Sequence, residues 1–254
     1  MEGLRGATVI LFGGAGGIGS ATSLRLGAEG ANVVVASRTE ANAEKVAAQI
    51  REAGGSALGV GVDIGDERSV AGAVKAATDT YGAIGAVHVN AANMAMDIIT
   101  NDSDAASIDL DVFDQTIRTN LRGYLVCTQA TLPALLEHGG GSIVYTSSAA
   151  VWAGEPERPA YAMSKGAIGP LVRHVASRWG REGIRANAVA PGPTVSDEMD
   201  RMLPPEYKEQ MLATLRHRRL GRPDDIAAMV AFLMSSEGEW INGQEIRVDG
   251  GRII

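Results

Sequence analysis

Tyr161 and Lys165 stand four residues apart in Tyr161-Ala162-Met163-Ser164-Lys165, and Ser148 lies thirteen residues upstream of the tyrosine. On a helix, positions i and i+4 share a face, so the phenol and the ammonium can point into one cleft. A cation beside a phenol favours its phenolate and draws its pKa towards neutrality. Proton transfer to or from an alcohol oxygen requires that, and the Ser148 hydroxyl can hold the oxygen concerned. Alone, a Tyr-x3-Lys pair is an ordinary helix pair. Its meaning depends on the elements that place it.

Short β-branched runs at 7–12, 32–36, 57–62, 86–89, 142–146, 185–190 and 245–248 predict strands. Ala-rich segments of helical period at 18–29, 40–53, 67–81, 111–137, 160–181 and 224–235 predict helices between them. Such alternation implies βαβ units in an α/β, Rossmann-type doubly wound fold, a parallel sheet of about seven strands flanked by helices. With no linker rich in Pro, Ser or charge, 1–254 reads as a single domain, 1–110 mainly for a cofactor and 111–254 for catalysis, lid and oligomer contacts. Stretches 94–110 and 191–220 carry no sheet pattern. Both follow the C-terminal end of a predicted strand, where ligands bind in open α/β sheets.

A net charge of −7 opposes a nucleic-acid surface. The single cysteine, Cys127, excludes an intrachain disulfide, and its apolar neighbours make it a buried thiol. No apolar run approaches the ~18 residues of a membrane span, and the N-terminus enters a strand without a signal-peptide pattern. The expectation is a cytoplasmic protein with neither nucleic acid nor membrane as partner.

Phe12-Gly13-Gly14-Ala15-Gly16-Gly17-Ile18-Gly19 joins the first strand to the first helix. Glycines at 13, 17 and 19 permit a tight turn, close approach to a pyrophosphate and close helix–strand packing. The helix start, with Gly16 and Ile18, offers N–H groups to phosphates. The second strand ends at Ser37-Arg38, where an acidic residue would suit NAD; a hydroxyl and a guanidinium suit a 2′-phosphate. NADP(H) is therefore expected, with NAD(H) possible. Asp63 and Ile64 close the third strand on the cofactor side, Asp63 either accepting from an adenine amino group or capping its own loop.

Together these motifs resemble the short-chain dehydrogenase/reductase family over nearly the whole chain. The resemblance is carried by Gly13-x3-Gly17-x-Gly19, Asn90, Asn120 in Thr119-Asn120-Leu121-Arg122-Gly123, Ser148, Tyr161-x3-Lys165, Asn187, Pro191-Gly192, and Asn242-Gly243-Gln244 with Val248-Asp249-Gly250-Gly251. It implies Tyr161 as general acid in reduction and base in oxidation, and Ser148 on the substrate oxygen. Lys165 would lower the tyrosine pKa and hold the nicotinamide ribose. Asn120 would disturb its helical ladder and hold a water leading protons to Lys165. Pro191, Gly192, Val195 and Ser196 would wall the nicotinamide, with Val195 backbone groups near the carboxamide. The family's interval selects Ser148 over Ser147.

The implied activity is NADP(H)-dependent hydride transfer between nicotinamide and a small carbonyl or secondary alcohol, without metal, in a homotetramer built through 111–137, 160–181 and the C-terminal strand region. One alternative is a 3-oxoacyl-thioester reductase for acyl-carrier protein or coenzyme A, met by Arg216-His217-Arg218-Arg219. Another is an NADP-binding scaffold or sensor without turnover.

Where the family usually has Thr and Asn-Asn-Ala-Gly, this chain has Phe12 and Asn90-Ala91-Ala92-Asn93. Phe12 is expected to pack on Ala91 and Ala92, with Asn93 tolerating positive φ in place of glycine. The polar segment 100–104 either covers the cleft mouth or loops outward. A lid over 199–220 should bring Met199 and Met202 to the substrate, opposite Trp152.

Overall fold

The β-branched runs form strands where expected: β1 (Thr8–Phe12), β2 (Asn32–Ser37), β3 (Ser56–Gly61), β4 (Ala86–Val89), β5 (Gly141–Thr146), β6 (Ile184–Pro191) and β7 (Glu245–Val248). The computed structural model describes residues 1–254, except for the side chains of 197 and 198. All seven strands pair in parallel in the order β3-β2-β1-β4-β5-β6-β7. Alternation along each strand feeds two cores. Ile10, Phe12, Val87 and Val89 face one, and Val9, Leu11, Ala86 and Val144 face the other. Both faces of the inner strands are covered, which explains their near-continuous apolar runs, while the edge strands β3 and β7 are only partly buried. The chain winds outwards from β1 to β3, then crosses back to place β4 beside β1, so the strand ends part there into a crevice.

Three long helices follow the predicted period: α1 (Gly17–Ala28), α2 (Glu40–Glu52) and α3 (Glu67–Tyr81). Stretch 94–110 carries a short helix, α4 (Met96–Asn101). The predicted helix 111–137 is α5 (Leu110–Ile117) and α6 (Gly123–Glu137), joined by a π-helical turn, Arg118–Arg122. A further short helix, α7 (Ala150–Ala153), follows β5. The predicted helix 160–181 is divided into α8 (Pro159–Gly166) and α9 (Ile168–Trp179). Pro170 explains the division, since it has no N–H for the Gly166 carbonyl and its ring crowds that group. The lid stretch carries α10 (Asp197–Met202) and α11 (Pro205–Ala213), and α12 (Pro223–Met234) returns the chain to the sheet.

Two local expectations are corrected. Asn93 does not take positive φ: among the described residues Arg158 alone does so without being glycine, at 68°. The Asn93 N–H instead donates to Asn120 Oδ1 at 2.7 Å, which turns the chain towards the π-helical turn. Segment 100–104 does not simply loop outwards: Thr100, Asn101 and Asp104 are exposed, but Asp102, 2% exposed, uses its carboxylate inside the molecule.

Candidate active site

A groove of about 690 Å³ opens where the strand order reverses. Gly13, Gly16, Gly17, Ile18, Ser37, Arg38, Asp63, Ile64, Asn90, Tyr161 and Lys165 all line it. Met94, Gln115, Arg118 and Thr146 line it too and were not singled out. Gly13 has φ of 82°, and a Cβ there would lie 2.6 Å from the Ala91 nitrogen. At Gly19 a Cβ would lie 1.9 Å from the Gly13 carbonyl oxygen, whereas at Gly17 it would meet nothing within 4 Å. The loop is thus closed against the protein and open beside α1. Gly16, the α1 N-cap, has no side chain to satisfy the helix N–H groups, so a pyrophosphate fits that cradle.

Asn90 pins the loop: its Nδ2 donates to the Gly13 carbonyl at 3.2 Å, and its Oδ1 accepts from Thr146 Oγ1 at 3.0 Å. The main chain also joins β1 to β4, since the Phe12 carbonyl accepts the Asn90 and Ala91 N–H groups, each at 2.9 Å. The buried Phe12 ring belongs to the apolar core on which Ala91 packs; Ala92 is not part of it. Asp63 caps its loop with one oxygen, accepting the Gly65 N–H at 2.8 Å.

Lys165 is 1% exposed and donates from Nζ to Tyr124 Oη and to the Thr146 carbonyl, both at 2.8 Å. Burial lowers its ammonium to about 7. Burial raises the Tyr161 phenol; a hydrogen bond with Ser148 and the charge of Arg158 pull it down, and Glu155 pushes it up. In this structure Lys165 is turned to Tyr124 and the β5 carbonyl, while the Arg158 guanidinium lies 4.3 Å from the Tyr161 ring centre. Ser147 donates to the Lys165 carbonyl at 3.3 Å, so that hydroxyl is structural and Ser148 is the one beside the phenol. Asn120 is buried on the π-helical turn, and its Nδ2 has no protein partner.

Asp102 escaped the sequence reading. One oxygen accepts the Ala160 N–H at 3.0 Å and the other the Tyr161 N–H at 2.9 Å, so it caps the helix that carries the tyrosine. The Asp102 and Ser103 carbonyls each accept the Arg158 N–H at 2.9 Å. No local pattern announces these contacts, since 58 residues separate Asp102 from Ala160.

The remaining predicted residues lie outside the groove lining. Pro191 receives the Ala149 N–H, and Gly192 donates to the Val248 carbonyl at 3.1 Å. The Val195 N–H is spent on the Gly221 carbonyl at 2.9 Å, which leaves that backbone only its carbonyl for a carboxamide. Ser196 Oγ accepts the Met199 N–H at 3.2 Å. Trp152 is exposed, with the Arg247 guanidinium 5.7 Å from its ring centre. Met199 and Met202 are also exposed, because the lid packs Val195, Leu215 and Leu220 on Leu203, Met211 and Leu212 instead. Within the basic cluster, Arg219 makes a two-point ion pair with Asp225 at 2.6 and 2.8 Å and holds that carboxyl at about 2. Among the described residues no helix is long and apolar enough to cross a membrane.

A doubly wound sheet with a glycine cradle at its switch point and a Tyr–Lys pair on the same groove defines a class of oxidoreductase. A family model described as Enoyl-(Acyl carrier protein) reductase matches residues 13–252. A probable short-chain type dehydrogenase/reductase of Bradyrhizobium diazoefficiens is 35% identical over 98% of this chain and 88% of its own. A 7alpha-hydroxysteroid dehydrogenase of Bacteroides fragilis is 32% identical, over 97% and 94%. A 3-oxoacyl-[acyl-carrier-protein] reductase of Staphylococcus aureus is 33% identical, over 96% and 97%. The chain belongs to the short-chain dehydrogenase/reductase family, oxidoreductases that use nicotinamide cofactors on CH–OH and C=O groups.

Proposed function

We propose that the chain interconverts a small carbonyl compound and its secondary alcohol with NADP(H), using Tyr161 as acid and base. One observation carries the reading: Tyr161 and Lys165 border the same groove as the glycine cradle. When bound, the cofactor gives or receives a hydride. Ser148 holds the substrate oxygen, and in reduction the Tyr161 proton passes to that oxygen. Lys165, brought to about 7 by burial, can return a proton to the phenolate near neutral pH. Asn120 extends that route, its unshared Nδ2 being suited to a bound water. Oxidation runs the same path backwards.

Ser37 and Arg38 support a 2′-phosphate, since both line the groove and Arg38 makes no ion pair among the described residues. Residues 1–110 then serve mainly the cofactor, and 111–254 catalysis and assembly. Exposed Leu110, Leu125 and Met163 suit the expected tetramer contacts. A second reading, reduction of 3-oxoacyl thioesters, is favoured by the Staphylococcus relative. The Arg219–Asp225 pair leaves it fewer free cations.

Initial rates with NADPH and NADH over ketones, diketones and acetoacetyl thioesters test the proposal. NADPH-preferring turnover of simple ketones is expected, and an NADH preference would overturn the Ser37–Arg38 argument. NADPH binding without any turnover would favour a scaffold or sensor.

A further inference from the structure

Arg158 sits at the head of the Tyr161 helix in a conformation that L residues rarely adopt, with φ of 68°. Its N–H is anchored on the Asp102 and Ser103 carbonyls, each at 2.9 Å, so its side chain springs from a fixed point. The guanidinium carbon lies 4.3 Å from the Tyr161 ring centre. Its Nε is buried and has no acceptor.

The nearby carboxylates do not answer this charge. Both Asp102 oxygens hold backbone N–H groups of α8, and Glu155 pairs with Arg252 at 2.7 Å. Arg158 is half-buried, but its Nε is shut away without an acceptor, and such a donor is costly. Kept beside the phenol that handles the reacting oxygen, it calls for an acceptor that arrives with the substrate.

Resting on the reading of Tyr161 as the acid, we propose that Arg158 selects oxo acids and hydroxy acids, gripping a carboxylate close to the reacting carbon. A planar guanidinium matches a carboxylate in a two-point fork. The guanidinium lies over the tyrosine ring itself, so the carboxylate belongs one or two carbons from the carbonyl, as in 2-oxo and 3-oxo acids. Glu155 faces the same phenol, which favours a single negative charge over a doubly charged phosphate.

The test compares acetoacetate with its neutral methyl ester in wild type, Arg158→Gln and Arg158→Lys. Arg158 also bears on the phenol, so the readout is the ratio of the two kcat/KM values rather than either rate. Wild type should favour the acid by about tenfold or more, the range in which a buried charged contact acts. Arg158→Gln should abolish that preference, and Arg158→Lys should restore it in part. Equal use of acid and ester by wild type, or an unchanged ratio in Arg158→Gln, overturns the proposal and leaves Arg158 as a tuner of Tyr161 alone. Calorimetric titration with the monoanion 3-hydroxybutyrate in the absence of cofactor, which needs no turnover, decides the matter separately. Binding that weakens about tenfold in Arg158→Gln supports the carboxylate grip even if no ketone is reduced; no binding to wild type contradicts it, whatever becomes of the reductase reading.

Discussion

His88 shows how far one side chain is bent by its surroundings. It lies on β4 in register with Leu11 and Val144, fully buried between strands. Its Nε2 is 2.9 Å from Thr146 Oγ1, and that hydroxyl donates onward to Asn90, so Nε2 carries the proton. Burial, with the Lys165 charge second, lowers the imidazole to about 3. Between its ordinary value and that one, the unfolded chain binds a proton that the native chain refuses. Stability from this residue is therefore whole above about pH 6.5 and declines as the pH falls towards 3. From pH 7 to pH 5 the decline should be about 2 kcal/mol. Urea unfolding at both pH values should show a smaller acid loss in His88→Leu than in wild type; identical losses would contradict the assignment.

At the scale of elements, the decisive joint is between segment 100–104 and α8. Asp102→Ala removes a helix cap, at a cost of about 1–2 kcal/mol, and leaves two inner N–H groups without their acceptor. Because one of those groups belongs to Tyr161, kcat should fall by about tenfold, following misplacement of the phenol. Asp102→Asn, which retains one acceptor oxygen, should recover part of both. Urea unfolding beside kcat measurements checks this, and wild-type values for Asp102→Ala would refute it. The strands and long helices were legible because their apolar periods are those of the sheet and helix surfaces they bury. The Tyr161 and Lys165 pair was legible from spacing within one stretch of chain, and both border one groove; Ser148 was chosen by the family's interval. Asp102 was not, since its partners are remote in sequence. The π-helical turn at Asn120 was implied only by resemblance, because the apolar period runs through it unbroken. Met199 and Met202 lie exposed on the lid, because periodicity gives a lid helix an apolar side but not the partner on which that side closes.

Across the whole molecule, the proposed cofactor cradle comes from the glycine loop and the ends of β2 and β3, and the proposed proton-handling groups from Asn120, Ser148, Tyr161 and Lys165 later in the chain. They meet only at the groove below the Thr146 end of β5, where Asn90 and Lys165 both bond that residue. Binding and chemistry should therefore be separable by one atom. Tyr161→Phe keeps the ring under Arg158 and removes the hydroxyl alone. The direct test is to measure NADPH binding by fluorescence and ketone reduction by initial rates on the same preparation of this variant. The account predicts a dissociation constant within about threefold of wild type and a kcat lower by about 10²–10⁴-fold, the usual worth of a placed acid. Turnover near the wild-type rate would contradict the role given to Tyr161.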